Sequence, residues 1–197
     1  MNSDTLQDIM LYLPYEDVLA MCSSYQFGNQ ACNDTFWKNK MIVDFNMMVP
    51  HSNIPYKEKY KRLHDIHILV NQFFMFLEAQ LDGTQDFYAN HQYVILSLPN
   101  HGYFFGDLYE MVFIITKENN DYDIEIIYSY DHDQTEEPGT MQQLKELMID
   151  LMYKHPDLIV QDLSGDPILY HDLLASPNTN KKNKLLKIWQ DVKSINK

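Results

Sequence analysis

The sequence predicts an α+β protein with a compact all-helical module over residues 1–50, a linking helix over 51–81, and a small antiparallel-sheet domain with covering helices over 82–197. Three observations predict it. Apolar residues in the first fifty positions recur at helical spacing between short polar breaks. A run from Tyr56 to Leu81 contains neither Gly nor Pro. From His91 onward the apolar period shortens to two, in segments rich in Val, Ile, Tyr and Phe.

Leu6, Ile9, Met10 and Leu13 stand at i, i+3, i+4 and i+7, which puts them on one face of a first helix, with Asp4 placed to cap it and Gln7 three residues on. Pro14 cannot continue that helix and disfavours helical geometry at Leu13. Glu16 and Asp17 then open a second helix at its positive end, with Val18, Leu19, Met21 and Cys22 as its apolar part. After the break at Ser23 and Ser24 comes a short segment bearing Phe27, Ala31 and Cys32. Asn33 or Asp34 can cap a fourth helix carrying Phe36, Trp37, Met41 and Phe45. A module this small buries little of its own surface. Trp37, Phe36, Tyr12, Leu13, Tyr15 and Met21 together supply more apolar area than such helices hide among themselves, which points to a partner surface.

In the linking helix Tyr60, Leu63, Ile66, Val70, Phe73, Phe74 and Leu77 form a stripe, with Pro55 at its start and Gly83 just past its end. Its basic opening, Lys57, Lys59, Lys61 and Arg62, reads as a solvated face. Tyr93–Leu98, Leu108–Thr116 and Tyr122–Tyr130 read as strands, the last two as a hairpin. In the third, Tyr122, Ile124, Ile126, Tyr128 and Tyr130 share one face while Asp123, Glu125 and Asp131 share the other, so one side of the sheet is expected to be wet. A helix over 140–154, with Leu144, Leu147, Met148 and Leu151 in a stripe, covers the dry side. Further on, 158–163 suits a fourth strand and 167–175 a short helix. At the C-terminus Leu185, Ile188, Trp189, Val192 and Ile195 lie on one side of a lysine-rich amphipathic helix, expected to dock on the acidic domain.

The formal charge of −13 is unevenly spread. Residues 82–178 carry eighteen acids against three bases, whereas 179–197 carry six lysines against one acid. An acidic domain of that kind repels phosphate backbones and favours a basic protein partner, so no nucleic acid is expected. No apolar run reaches the roughly 18 residues of a membrane span, and the N-terminus lacks the pattern of an export signal. The two cysteines, Cys22 and Cys32, sit among apolar neighbours and read as free thiols of a reducing compartment, hence a cytoplasmic or nuclear location.

Two stretches, LQDIMLYLPYEDVLAMC and FGNQACNDTFWKNK, resemble the F-box motif: a short helix ending in Leu-Pro, an acidic start to the next helix, a small Cys-containing segment, then an aromatic-Trp pair. The resemblance covers about residues 4–45, and the wording is most similar to F-box proteins of large DNA viruses of amoebae. It implies that Leu6, Ile9, Met10, Leu13, Pro14, Val18 and Leu19 contact a Skp-family adaptor or support that contact, with Trp37 matching the family's terminal tryptophan. It differs from the family in having Asp4-Thr5 in place of a leading Leu-Pro, Gly28 where an aromatic is usual, and Ser24-Tyr25 in place of Val-Cys. The function implied is a recruitment subunit that links a target protein, through the adaptor and a cullin, to a ubiquitin ligase. The alternative is a non-catalytic viral interaction protein whose helices belong to one fold and bind no adaptor.

Catalytic chemistry is hard to assemble from the remaining residues. Asp131, His132 and Asp133, with His91 or His101, offer acid, base or metal-ligand groups, but the run continues into Gln134, Glu136 and Glu137 and reads as an exposed polar loop. His64 and His67 lack a second ligand pair at metal-binding spacing. No phosphate-binding glycine loop or nucleophile elbow is present, so neither an enzyme nor a cofactor is expected.

Overall fold

The computed structural model describes residues 3–24, 28–47, 53–82, 91–98, 103, 106, 108–118, 121–130, 133–155 and 158–161. The chain divides into two compact units, Met1–His64 and Asp65–Lys197.

The first unit holds α1 (Ser3–Met10), α2 (Tyr15–Ser24), α3 (Gly28–Ala31), α4 (Asp34–Phe45) and the opening turns of α5 (Tyr56–Asp82). Each boundary has a local cause. Pro14 separates α1 from α2. Asn33 caps α4, its side chain accepting a hydrogen bond from the Phe36 N–H at 2.9 Å. Asn46 ends α4 in the left-handed conformation that Asn tolerates, its N–H bonded to the Ile42 carbonyl at 3.0 Å. The Asp34 carboxylate accepts from the Tyr56 N–H at 2.6 Å, placing a negative charge at the positive end of α5. Gln7 donates to the Ala31 carbonyl at 2.8 Å and so ties α1 to α3.

Three expectations for this unit are corrected. Cys22 and Cys32 form a disulfide with Cα atoms 5.9 Å apart, which overturns the reading of free thiols and takes away that support for a reducing compartment. Neither cysteine carried a spacing signal for pairing, because the contact depends on how α2 and α3 fold back on each other. Second, Phe36 and Trp37 are interior, each 1 % exposed. Of the apolar area assigned from sequence to a partner, the Phe36–Trp37 part is covered by the chain itself, while Tyr12 stays 80 % exposed: the Tyr60 ring of α5 lies 5.2 Å from Trp37 and 5.1 Å from Phe45, and Tyr15 packs edge-on to Trp37 at 6.1 Å. Lys59, expected to be solvated, is buried with its ammonium 4.3 Å from the Tyr56 ring centroid.

The second unit is built on a five-stranded antiparallel sheet in the order β4-β3-β2-β1-β5. Its strands are β1 (His91–Ser97), β2 (Leu108–Glu118), β3 (Asp121–Tyr130), β4 (Gln134–Gly139) and β5 (Ile159–Gln161), with α6 (Met141–Lys154) between β4 and β5. Val94, Leu96, Met111, Phe113, Ile115, Ile124, Ile126 and Val160 line one face and are all buried. A bulge between Leu108 and Glu110 brings Leu108 onto this face opposite Tyr130. Thr140 caps α6 by accepting from the Gln143 N–H at 3.1 Å, and Leu144, Met148, Leu151 and Met152 are the helix's buried stripe. From α5, the residues Ile66, Leu69, Val70, Phe73, Phe74, Leu77 and Leu81 are buried.

The stretch from Gln134 to Gly139, read from sequence as polar loop, is the edge strand β4. It has neither apolar alternation nor β-branched composition. What makes it a strand is the ladder offered by β3 and the turn that closes through Tyr130 N–H to the Asp133 carbonyl at 2.9 Å. Gly139 lies against the core: a Cβ there would sit 2.6 Å from Ile126 Cδ1. Pro138 and two glutamates occupy the free edge, features that discourage pairing with another strand. The expected helices over 167–175 and 181–197 lie outside the described residues.

Candidate functional site

The residues that the F-box resemblance assigns to an adaptor all lie in the first unit, and their burial divides them. Leu6, Met10, Val18 and Trp37 are interior, at 8, 1, 0 and 1 % exposure. Leu13 and Leu19 are half-buried, whereas Pro14 is exposed and Ile9 is 48 % exposed. Beside them Tyr12, absent from that set, is 80 % exposed. Ile9, Tyr12, Leu13 and Pro14 thus form an apolar surface at the end of α1 and the corner into α2. Trp37 supports this unit from within; its Nε1 is buried without a hydrogen-bond partner among the described residues, and the Lys57 ammonium lies 5.9 Å from its ring.

The corner is held by a group that sequence reasoning passed over. Lys40, on α4, is fully buried, and its ammonium donates to the Leu11 carbonyl at 3.0 Å and the Leu13 carbonyl at 2.8 Å. Its third bond is an ion pair with Asp44 Oδ2 at 2.9 Å, one helical turn on. Three donors meet three acceptors, so the charge is fully satisfied. Leu11 lies just past the last residue of α1 and Leu13 in the turn before α2, and a cation at the end of α1 also complements the helix dipole. Asp44 accepts a second, short hydrogen bond from the Tyr60 hydroxyl. Burial, then the bond to Asp44, then the charge of Asp44 with those of Tyr15 and Glu16, hold the Tyr60 hydroxyl far above its ordinary range. The signal for this network was the Lys-x-x-x-Asp spacing of 40 and 44, which alone reads as a surface pair.

The groups considered for catalysis do not assemble among the described residues. Asp131, His132 and His101 lie outside them. Asp133 is exposed, and its carboxylate accepts from the Gln134 N–H at 2.8 Å, a turn-forming role. His64 has its ring 4.5 Å from that of Tyr15. No group of three or more His, Cys, Asp or Glu among the described residues could hold a metal ion. No helix among them is long and apolar enough to cross a membrane.

In the second unit, an open cleft of about 360 Å³ lies between the sheet and α6, floored by Phe113, Ile126, Tyr128 and Leu147 and rimmed by Gln143, Glu146 and Asp150. Burial and the neighbouring Glu137 carboxylate raise the Tyr128 hydroxyl above its ordinary range, so it is a neutral hydrogen-bonding group there. Asp150 is paired with Lys154 at 2.7 Å. The cleft offers apolar contact and acceptors, with no nucleophile or base pair.

No family model, no curated protein and no solved structure matches this chain.

Proposed function

We propose that the chain is an F-box-type recruitment subunit, which binds a Skp-family adaptor through the end of α1 and the α1–α2 corner and brings a target protein to a cullin ubiquitin ligase. The observation that carries this reading is the apolar set Ile9, Tyr12, Leu13 and Pro14, left accessible on a unit whose own aromatic core is filled. Accessible large side chains on a corner held by a buried lysine are what a partner can grip without first paying to order them. Leu6, Met10, Val18 and Trp37 then act as support. The acidic second unit is the target-facing part, suited to a basic protein, and such binding weakens as salt rises.

The test is binding of a purified Skp-family adaptor to the full chain and to the Tyr12→Ala, Leu13→Ala double variant. Loss of about 2 kcal/mol, roughly a 30-fold rise in Kd, is expected where such residues are central contacts. Unchanged affinity in the folded double variant, or no binding by the full chain, refutes it. The second reading, an interaction protein that meets no adaptor, is favoured by the burial of half of the eight residues assigned from the resemblance. The same experiment separates the two.

A further inference from the structure

The face of the sheet expected to be wet is not simply polar. Strand register places Ile95, Val112 and Ile127 side by side across β1, β2 and β3, with Tyr93 and Ile114 in the adjoining row. All five point away from the face that carries Val94, Phe113 and Ile126. Ile95 is 8 % exposed, while Tyr93, Val112, Ile114 and Ile127 are half-buried, unlike the fully buried residues opposite. The same register puts acids around this apolar band: Asp123 beside Thr116, Glu125 beside Ile114, and Glu136 beside Ile127. Asp123, Glu125 and Glu136 are exposed. A surface with an apolar centre and an acidic border fits an amphipathic helix with a basic polar face.

We propose that this second sheet face is a docking surface for the chain's own segment Lys181–Lys197, which lies beyond the described residues. Leu185, Ile188, Trp189, Val192 and Ile195 supply an apolar stripe of matching kind, and the six lysines of 179–197 supply the complementary charge. The dimensions agree. Seventeen residues of helix span about 25 Å, and five strands at their usual spacing span about 20 Å. Gln161, the last residue of β5, pairs with Ile95 at one side of the band. From there the residues before Lys181 reach any part of the sheet, since an extended chain covers about 3.3 Å per residue. Docking in cis removes the band from water and sets lysines against Asp123, Glu125 and Glu136. This inference does not depend on the adaptor reading, because it concerns the other unit.

The experiment uses the full chain and its two tryptophans. Trp37 is interior and gives a constant, poorly quenched signal, so acrylamide quenching of tryptophan emission reports on Trp189. Protected Trp189 is expected in the wild-type chain, independent of protein concentration. Val112→Glu, which places a charge in the middle of the band, is expected to raise quenching several-fold and shift the emission to the red. Ile188→Asp alters only the segment and leaves the sheet untouched, so it decides the matter if Val112→Glu does not fold, and it is expected to give the same release. A Trp189 as accessible as free tryptophan in the wild-type chain overturns the proposal. So does protection that persists in folded Val112→Glu and Ile188→Asp variants, or protection that appears only on raising protein concentration, the sign of a second copy as occupant.

Discussion

Replacing Lys40 by Met removes a charge that joins α4 to the α1–α2 corner while keeping most of the side chain's apolar stem. The ammonium is fully buried and makes three charge-assisted contacts, at 3.0, 2.8 and 2.9 Å. Removing one partner of a buried pair costs about 3–5 kcal/mol, since the other partners stay behind unsatisfied. Here Asp44 is 26 % exposed and keeps the Tyr60 hydroxyl, so water and Tyr60 offset part of that loss. The lower end, about 3 kcal/mol, follows, a large fraction of the 5–15 kcal/mol typical of a domain. The measurement is urea denaturation followed by Trp37 emission in a Trp189→Phe background, so that the first unit alone is reported. A double-variant cycle with Asp44→Asn is expected to show coupling of about 1–2 kcal/mol. A loss below about 1 kcal/mol with no coupling refutes the reasoning, because it means the ammonium is solvated like an ordinary surface lysine.

Tyr60 supplies a pH test. Its folded pKa is raised above the unfolded value of about 10, so the folded state holds the proton longer, and the stability it contributes is complete below pH 10 and falls as pH rises, by up to about 1.4 kcal/mol per unit. Tyr60→Phe is expected to remove that part of the alkaline slope in denaturation curves collected from pH 8 to 11. In the other unit, Gly139→Ala drives a methyl to within 2.6 Å of Ile126 Cδ1 and is expected to cost about 1–2 kcal/mol in thermal or urea melts, part of it recovered by Ile126→Val. The Cys22–Cys32 disulfide closes a separation of 10 residues. On the chain-entropy account, the double Cys→Ser variant is expected to lose about 2.5 kcal/mol in the first unit, read in the same Trp37 assay.

Most helices and strands were legible because their signals are local. Asn33 before Phe36, Thr140 before Gln143 and the uninterrupted run from Tyr56 set boundaries through short-range hydrogen bonds and periodicity. What was missed depends on contacts between distant residues. β4 exists because β3 supplies a ladder to a segment with little strand character of its own. The disulfide exists because α3 returns along α2. Lys40 belongs to a stretch of α4 that shows little amphipathic order, and only the fold reveals that it faces the Leu11 and Leu13 carbonyls. The apolar band of the second sheet face was hidden by reading β3 alone, where Asp123 and Glu125 dominate. Its other members come from β1 and β2, and register was needed to align them.

These nonlocal contacts bear on the proposed partner surface in one further way. A unit of this size buries too little apolar area to be robust by that alone, which makes binding a partner a common route to stability. Here the Trp37 cluster, the satisfied Lys40 charge and the disulfide give the first unit other sources of cohesion. The exposed Tyr12 and Ile9 add little to that cohesion, and on the proposed adaptor reading their apolar character serves a partner. Stability and the proposed binding are therefore separable here. If the proposed adaptor binding holds, substitutions at Tyr12 are expected to act on affinity while leaving the urea midpoint almost unmoved, whereas those at Lys40 are expected to act first on stability and on affinity only through the corner they hold.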